Sequence, residues 1–169
     1  MPRAPLFAAR FSMISIVIKL VLIAALVAAD QGIKLWASSV LQPVTAMPVI
    51  PGIVELRFVL NDGMAFSMLS GKQGFLIGIT SLALCVVAYL LFTEKMFGRV
   101  GNAGLLLVLA GGIGNLIDRA LNGVVVDYIN LLFMRFAVFN FADICVCVGV
   151  GLLILDVLLD SVGNKNGTL

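Results

Sequence analysis

A chain of 169 residues, 62% of them hydrophobic and only 12% charged, with a mean hydropathy of +1.16, cannot cover a soluble surface, which takes about 25% charged residues. It reads as an integral membrane protein. The formal net charge of +2 comes without any Lys/Arg cluster and gives no sign of a nucleic-acid partner. With no histidine, and with Cys85, Cys145 and Cys147 scattered in apolar runs, no metal or cofactor is implied; the cysteines read as small hydrophobes inside helices.

Four apolar segments approach the ~20 residues that span a bilayer. The first covers 12–29 and is broken only by Lys19, which can snorkel to the near interface. A cleaved secretory signal is the rival reading, since Arg3 and Arg10 make a basic start and Val27-Ala28-Ala29 could be cut. Against it, Asp30, Gln31 and Lys34 continue at helical spacing, and removal would leave three spans. Asp30 and Lys34, four apart, can pair; equally, Lys34 could meet lipid phosphate.

The connection 31–73 is too long for a simple turn. Residues 49–60 read as short strands about a Pro51-Gly52 turn, with Val54, Leu56, Phe58 and Leu60 alternating at strand period. Asn61-Asp62-Gly63 then breaks the run. The expectation is a small β-rich platform between helices 1 and 2. The second span covers 74–92.

The third span, 101–117, carries Gly104, Gly111, Gly112 and Gly114, which suit close helix packing. Asn115, Asp118 and Arg119 follow, Asp118 and Arg119 reading as an internal ion pair or loop anchor. The connection 119–140 is apolar over 128–139 and is expected to hug the interface. The fourth span, 141–159, opens near Asp143, with Asn140 placed to cap it. Asp156 and Asp160 read as a solvated helix end.

Arg3, Arg10, Lys95, Arg99 and Lys165 sit in short segments on one side, which by the positive-inside rule places both termini in the cytoplasm. Asp30, Asn61, Asn115, Asp118, Arg119, Asp127, Asn140 and Asp143 then gather at the opposite face. Two carboxylates brought together do not both ionise cheaply, so one holds a proton while the other stays charged. The charged one can activate water; the protonated one can polarise a carbonyl and protonate a leaving amine. Asp127 and Asp143, in apolar surroundings, suit this best. Asn61, Asn115 and Asn140 can hold backbone groups or a bound peptide.

The chain resembles the bacterial lipoprotein signal peptidase (signal peptidase II) family. The resemblance lies in five blocks in order: Asp30-Gln31-Gly32-Ile33-Lys34; Asn61-Asp62-Gly63-Met64-Ala65-Phe66-Ser67; Gly111-Gly112-Ile113-Gly114-Asn115-Leu116-Ile117-Asp118-Arg119; Gly123-Val124-Val125-Val126-Asp127-Tyr128; and Phe139-Asn140-Phe141-Ala142-Asp143. Met64 stands where alanine is common, and the link from Asp127 to Asp143 is short. The resemblance implies an all-α polytopic membrane protein of one domain, 1–169, with four transmembrane helices and an extracytoplasmic β-rich platform. It implies an aspartyl endopeptidase of the bacterial inner membrane that cuts diacylglyceryl-modified prolipoproteins before the lipobox cysteine. Asp127 and Asp143 map onto the catalytic dyad. Asp30, Lys34, Asn61, Asn115, Arg119 and Asn140 map onto positions that contact substrate or inhibitor, with Gly63 and Asp118 among the supports. Membrane lipid is a further partner, globomycin-like cyclic peptides are the expected inhibitors, and the chain is expected to act as a monomer. A presenilin-like protease fits less well, because Gly112-Ile113-Gly114 is followed by asparagine. A small cation- or proton-coupled transporter is the alternative of another class, but neither paired repeats nor broken mid-bilayer helices are visible.

Overall fold

The computed structural model describes residues 5–44, 46–63, 71–93 and 96–166. The elements run α1 (Pro5–Leu41), β1 (Met47–Ile50), β2 (Val54–Asn61), α2 (Gln73–Thr93), α3 (Arg99–Asn122), β3 (Val125–Leu131) and α4 (Phe141–Asn166). Four helical stretches are long and apolar enough to cross a membrane: Met13–Leu41, Gln73–Thr93, Arg99–Asn122 and Phe141–Val162. Met64 to Ser67 of the second block lie outside the described residues, as do Arg3 and Lys95.

α4 runs on from its expected end at 159 to Asn166, and two spans are longer at the end that carries the polar residues. α1 does not end at residue 29 but continues to Leu41, so Asp30, Gln31 and Lys34 lie inside it rather than at its mouth. The polar residues do not break the helix because their charges are neutralised inside the protein, and Pro43 comes only two residues after its end. α3 likewise runs past Asp118 and Arg119 to Asn122. Gly123 ends it, at φ 72 in the left-handed region, donating its N–H to the Arg119 carbonyl at 3.1 Å.

α3 is the central helix, packed against α4, α2 and α1. Its buried face is made largely of Gly101, Gly104, Leu105, Leu109, Gly111 and Gly114, and the missing side chains let neighbouring backbones approach. A Cβ on Gly104 would lie 2.6 Å from the Gly149 carbonyl oxygen, and one on Gly149 would lie 2.6 Å from the Gly104 carbonyl oxygen. Ile23, Leu84, Leu91, Leu105, Leu109 and Ala110 form the apolar core between the helices. Outward faces of α1 and α4 expose Val17, Ile18, Val21, Leu155 and Leu158, as lipid-facing helices do.

At the end of the molecule holding the α2–α3 connection, two charges cap helices. Lys19 Nζ donates to the Leu91 carbonyl at 2.9 Å, at the C-terminus of α2. Asp156 accepts the Gly98 N–H at 2.8 Å, at the N-terminus of α3. Each sign complements the helix dipole it meets. Lys19 therefore has a protein partner as well as any interfacial role, and Asp156 is a cap rather than a merely solvated helix end.

The platform also differs from expectation. It is a three-stranded antiparallel sheet in the order β1-β2-β3, with β3 supplied by the connection between α3 and α4. β1 and β2 meet at the expected turn, where Gly52 has φ 75. The period-two reading of β2 fails halfway. Leu56 pairs with Ile129 and Val59 with Asp127, so Arg57 and Phe58 together oppose Tyr128 alone. This β-bulge shifts the phase by one residue and exchanges the faces. Leu60 is consequently turned outward, 54% exposed, and Asn61 turned in. Ala37, Leu41 and Tyr128 form the small buried cluster where α1 meets the sheet.

Candidate active site

The start of α4 is where the polar residues converge. A helix leaves its first N–H groups without intrahelical partners, and here two other elements and the helix's own cap residue satisfy them. The Phe141 N–H donates to Tyr128 Oη of β3 at 3.1 Å. The Ala142 N–H donates to Asp30 Oδ1 of α1 at 3.1 Å. The Asp143 N–H donates to Asn140 Oδ1 at 3.0 Å, while Asp143 Oδ2 accepts the Asn140 N–H at 3.1 Å. The last pair is a reciprocal capping box, so the capping role expected of Asn140 is present.

Asn140, fully buried, also joins the two candidate aspartates. Its Nδ2 donates to Asp127 Oδ1 at 2.7 Å and to Asn115 Oδ1 at 3.1 Å. Asn61 Nδ2 donates to Asp127 Oδ2 at 2.9 Å, and Asn115 Nδ2 donates to Asp143 Oδ1 at 2.8 Å. All four carboxylate oxygens thus receive an amide. Val59 is the cross-strand partner of Asp127, so Asn61, two residues on, reaches it diagonally on the same sheet face. Burial pushes the Asp127 carboxyl up to about 6; the Asn61 amide opposes this, the nearby Asp143 charge adds to it, and Asn140 opposes it. Burial also pushes the Tyr128 hydroxyl up to about 12, against the bond it accepts from the Phe141 N–H, and so keeps it a neutral hydroxyl.

Asp127 and Asp143 face one cavity of about 440 Å³. Asn61, Asn115 and Arg119 complete its polar end. The remaining wall is apolar: Val125 and Leu131 of β3, residues 136–139, and Ile144, Cys147 and Val148 of α4. Such a surface suits an apolar, peptide-like ligand with a few polar groups to orient it. Residues 136–139 form its lip, with Phe136 and Phe139 edge to face at 5.8 Å between centroids. Cys147, within α4, is an exposed wall residue one turn beyond Asp143.

Other expected site residues stand behind the cavity rather than in it. Lys34 does not reach lipid phosphate; its Nζ lies 2.8 Å from Asp30 Oδ2, 2.9 Å from Asp118 Oδ2 and 2.9 Å from Asn115 Oδ1. All three charged residues of this cluster are buried and none lines the cavity. Asp118 accordingly makes its ion pair with Lys34, not with the neighbouring Arg119. Arg119 Nη2 instead donates to the Gly63 carbonyl at 3.0 Å, fixing the end of β2 to α3. Gln31 Nε2 bridges Asp30, Asp118 and the Gly114 carbonyl. From the sequence, Tyr128 and residues 136–139 are expected only to hug the interface as part of an apolar connection; their places at the start of α4 and in the cavity wall are not visible there. Among the described residues, no group of three or more His, Cys, Asp or Glu side chains could hold a metal ion.

Residues 22–159 match the family model described as signal peptidase (SPase) II. A lipoprotein signal peptidase of Streptococcus pyogenes serotype M2 is 44% identical over 130 residues, 77% of this chain and 86% of the relative. One from serotype M5 is 43% identical over the same span. Two solved structures, both described as bacterial membrane enzymes determined by the in meso method, are 30% identical. One, at 2.3 Å resolution, has a TM-score of 0.77 and covers 85% of this chain and 88% of its own. The other, at 1.9 Å, has a TM-score of 0.74, with coverages of 83% and 92%. The chain belongs to the signal peptidase II family.

Proposed function

We propose that this signal peptidase II family member removes the signal peptide from diacylglyceryl-modified prolipoproteins by an aspartyl mechanism centred on Asp127 and Asp143. The observation that carries this reading is the junction at Asn140, which bonds one carboxylate through its side chain and the other through its backbone at the polar end of a single apolar-walled cavity.

The surroundings divide the roles. Asp143, in the first turn of α4, accepts a proton from water. Asp127, buried on a strand with a carboxyl raised to about 6, supplies the acid. The water oxygen bonds to the scissile carbonyl carbon as its proton passes to Asp143, and the carbonyl oxygen takes the proton of Asp127. Collapse of the tetrahedral species returns the hydroxyl proton to Asp127 and breaks the C–N bond. Asp143 hands its proton to the leaving amine, the nitrogen of the lipid-bearing cysteine. Asn61, Asn115 and Arg119 are placed to hold peptide carbonyls or amides, and the apolar wall fits a substrate held by lipid. On this reading both termini are cytoplasmic, the sheet and the site lie at the outer face of the inner membrane, the enzyme acts as a monomer, and globomycin-like cyclic peptides block it by occupying the dyad.

The test is cleavage of a diacylglyceryl-modified lipobox peptide in detergent. Asp127→Asn and Asp143→Asn should each lower kcat by roughly 10²–10⁴-fold, the range of general acid–base assistance, while inserting and melting as folded proteins. Near-wild-type cleavage by either variant would remove the dyad. The same peptide without its lipid should be cut poorly; equal cleavage would remove the lipid from recognition.

A further inference from the structure

Lys34 sits too deep to touch a substrate, yet it is one side chain removed from Asp143. Its ammonium has three protons to donate and three acceptors in place: Asp30 Oδ2, Asp118 Oδ2 and Asn115 Oδ1, all within 2.8–2.9 Å. Both carboxylates are themselves anchored. Asp30 Oδ1 holds the Ala142 N–H of α4, and Asp118 Oδ2 holds the Val126 N–H of β3 at 3.4 Å. The ammonium is therefore fixed with respect to three elements at once.

What it fixes in turn is an amide. Asn115 Oδ1 accepts from both Lys34 Nζ and Asn140 Nδ2, while Asn115 Nδ2 donates to Asp143 Oδ1 at 2.8 Å. Reversing this amide would set an NH₂ group against an ammonium and a second NH₂, and would put a carbonyl oxygen against the Asp143 carboxylate. Each of these contacts is repulsive in a buried site. We infer that Lys34 is a positioning residue for the peptidase reaction: it sets the orientation of the Asn115 amide and, through it, the donor that aims Asp143. A buried ion cluster contributes little net stability compared with apolar packing, whereas an orienting role needs the cation in this place. The inference rests on the dyad reading above.

A double-mutant cycle in the full-length enzyme tests it, using the lipidated peptide with wild type and Asp127→Asn as references. Lys34→Met should lower kcat at least about 10-fold with KM within about twofold. In an Asn115→Ala background the same change should cost less than about twofold more, because its effect passes through that amide. Multiplying losses, or an unchanged kcat in folded Lys34→Met, would overturn the inference. If Lys34→Met does not fold, Lys34→Met with Asp118→Asn removes one anion along with the cation and is read the same way; failure of both to fold would make Lys34 a folding residue and overturn the assignment. Cleavage by Asp127→Asn at the wild-type rate would instead sink the dyad reading itself.

Discussion

At Asp127 burial and hydrogen bonding pull in opposite directions. At 2% exposure its carboxyl is pushed up to about 6, while amides from Asn61 and Asn140 favour the charged form. Removing one of these donors leaves burial less opposed. Asn61→Ala should therefore raise the Asp127 pKa further, so that the acid keeps its proton to higher pH. If Asp127 is the general acid, the alkaline limb of the kcat/KM profile moves to higher pH even as the maximum rate falls. An alkaline limb that stays in place or moves down would show that Asn61 is not the donor governing Asp127. The amides themselves were legible in the sequence as unusual polar residues near apolar spans. Their partners were not: the four-residue spacing shows Asp30 beside Lys34, but nothing local reveals Asn115, 81 residues away, or separates Asp118 from the adjacent Arg119.

A strand reads correctly from its period only while its register is unbroken. Alternation at Val54, Leu56, Phe58 and Leu60 identified β2 and its turn, but carried through to the end it would have placed Leu60 inward and Asn61 outward. The bulge at Arg57 and Phe58 reverses that phase, and a two-against-one pairing leaves no mark in a single strand's pattern. Deleting Arg57 should close the bulge by leaving Phe58 alone opposite Tyr128, so Val59, Leu60 and Asn61 keep their partners on β3 and Asn61 stays on the face of Asp127. Cleavage should then fall far less than in Asn61→Ala. In a background lacking the three native cysteines, a cysteine placed at Leu60 should label readily with maleimide both with and without the deletion. Protection of that cysteine on deletion, with cleavage falling as far as in Asn61→Ala, would show that pairing with β3 does not orient Asn61. The same limit explains β3, whose buried Val125, Asp127 and Tyr128 make an apolar run that periodicity cannot tell from interfacial loop.

Across the whole molecule, the distance between Asp143 and the Asn115 amide depends on how closely α3 and α4 approach. The glycines of α3 announced close packing in the sequence; that Gly149 of α4 is the partner of Gly104 could be seen only in the folded chain. Gly111 is the contact nearest the site, one turn before Asn115, and a Cβ there would collide with the Ala142 carbonyl beside Asp143. Overpacking of this kind costs roughly 1–3 kcal/mol. Gly111→Ala and Gly149→Ala should therefore lower Tm by comparable amounts, but they push the helices apart at different heights. Displacement at Gly111 moves the start of α4, where Ala142, Asp143 and Asn140 meet their partners from α1, α3 and β3, so cleavage should be largely lost. Displacement at Gly149, six residues further along α4 than Asp143, should leave more activity for the same loss of stability. Gly78, with open space around its missing Cβ, serves as the control: alanine there should keep activity and gain up to about 1 kcal/mol of helix stability. Equal activity per degree of Tm lost in the first two variants would mean that general stability limits catalysis, rather than the α3–α4 spacing at the site.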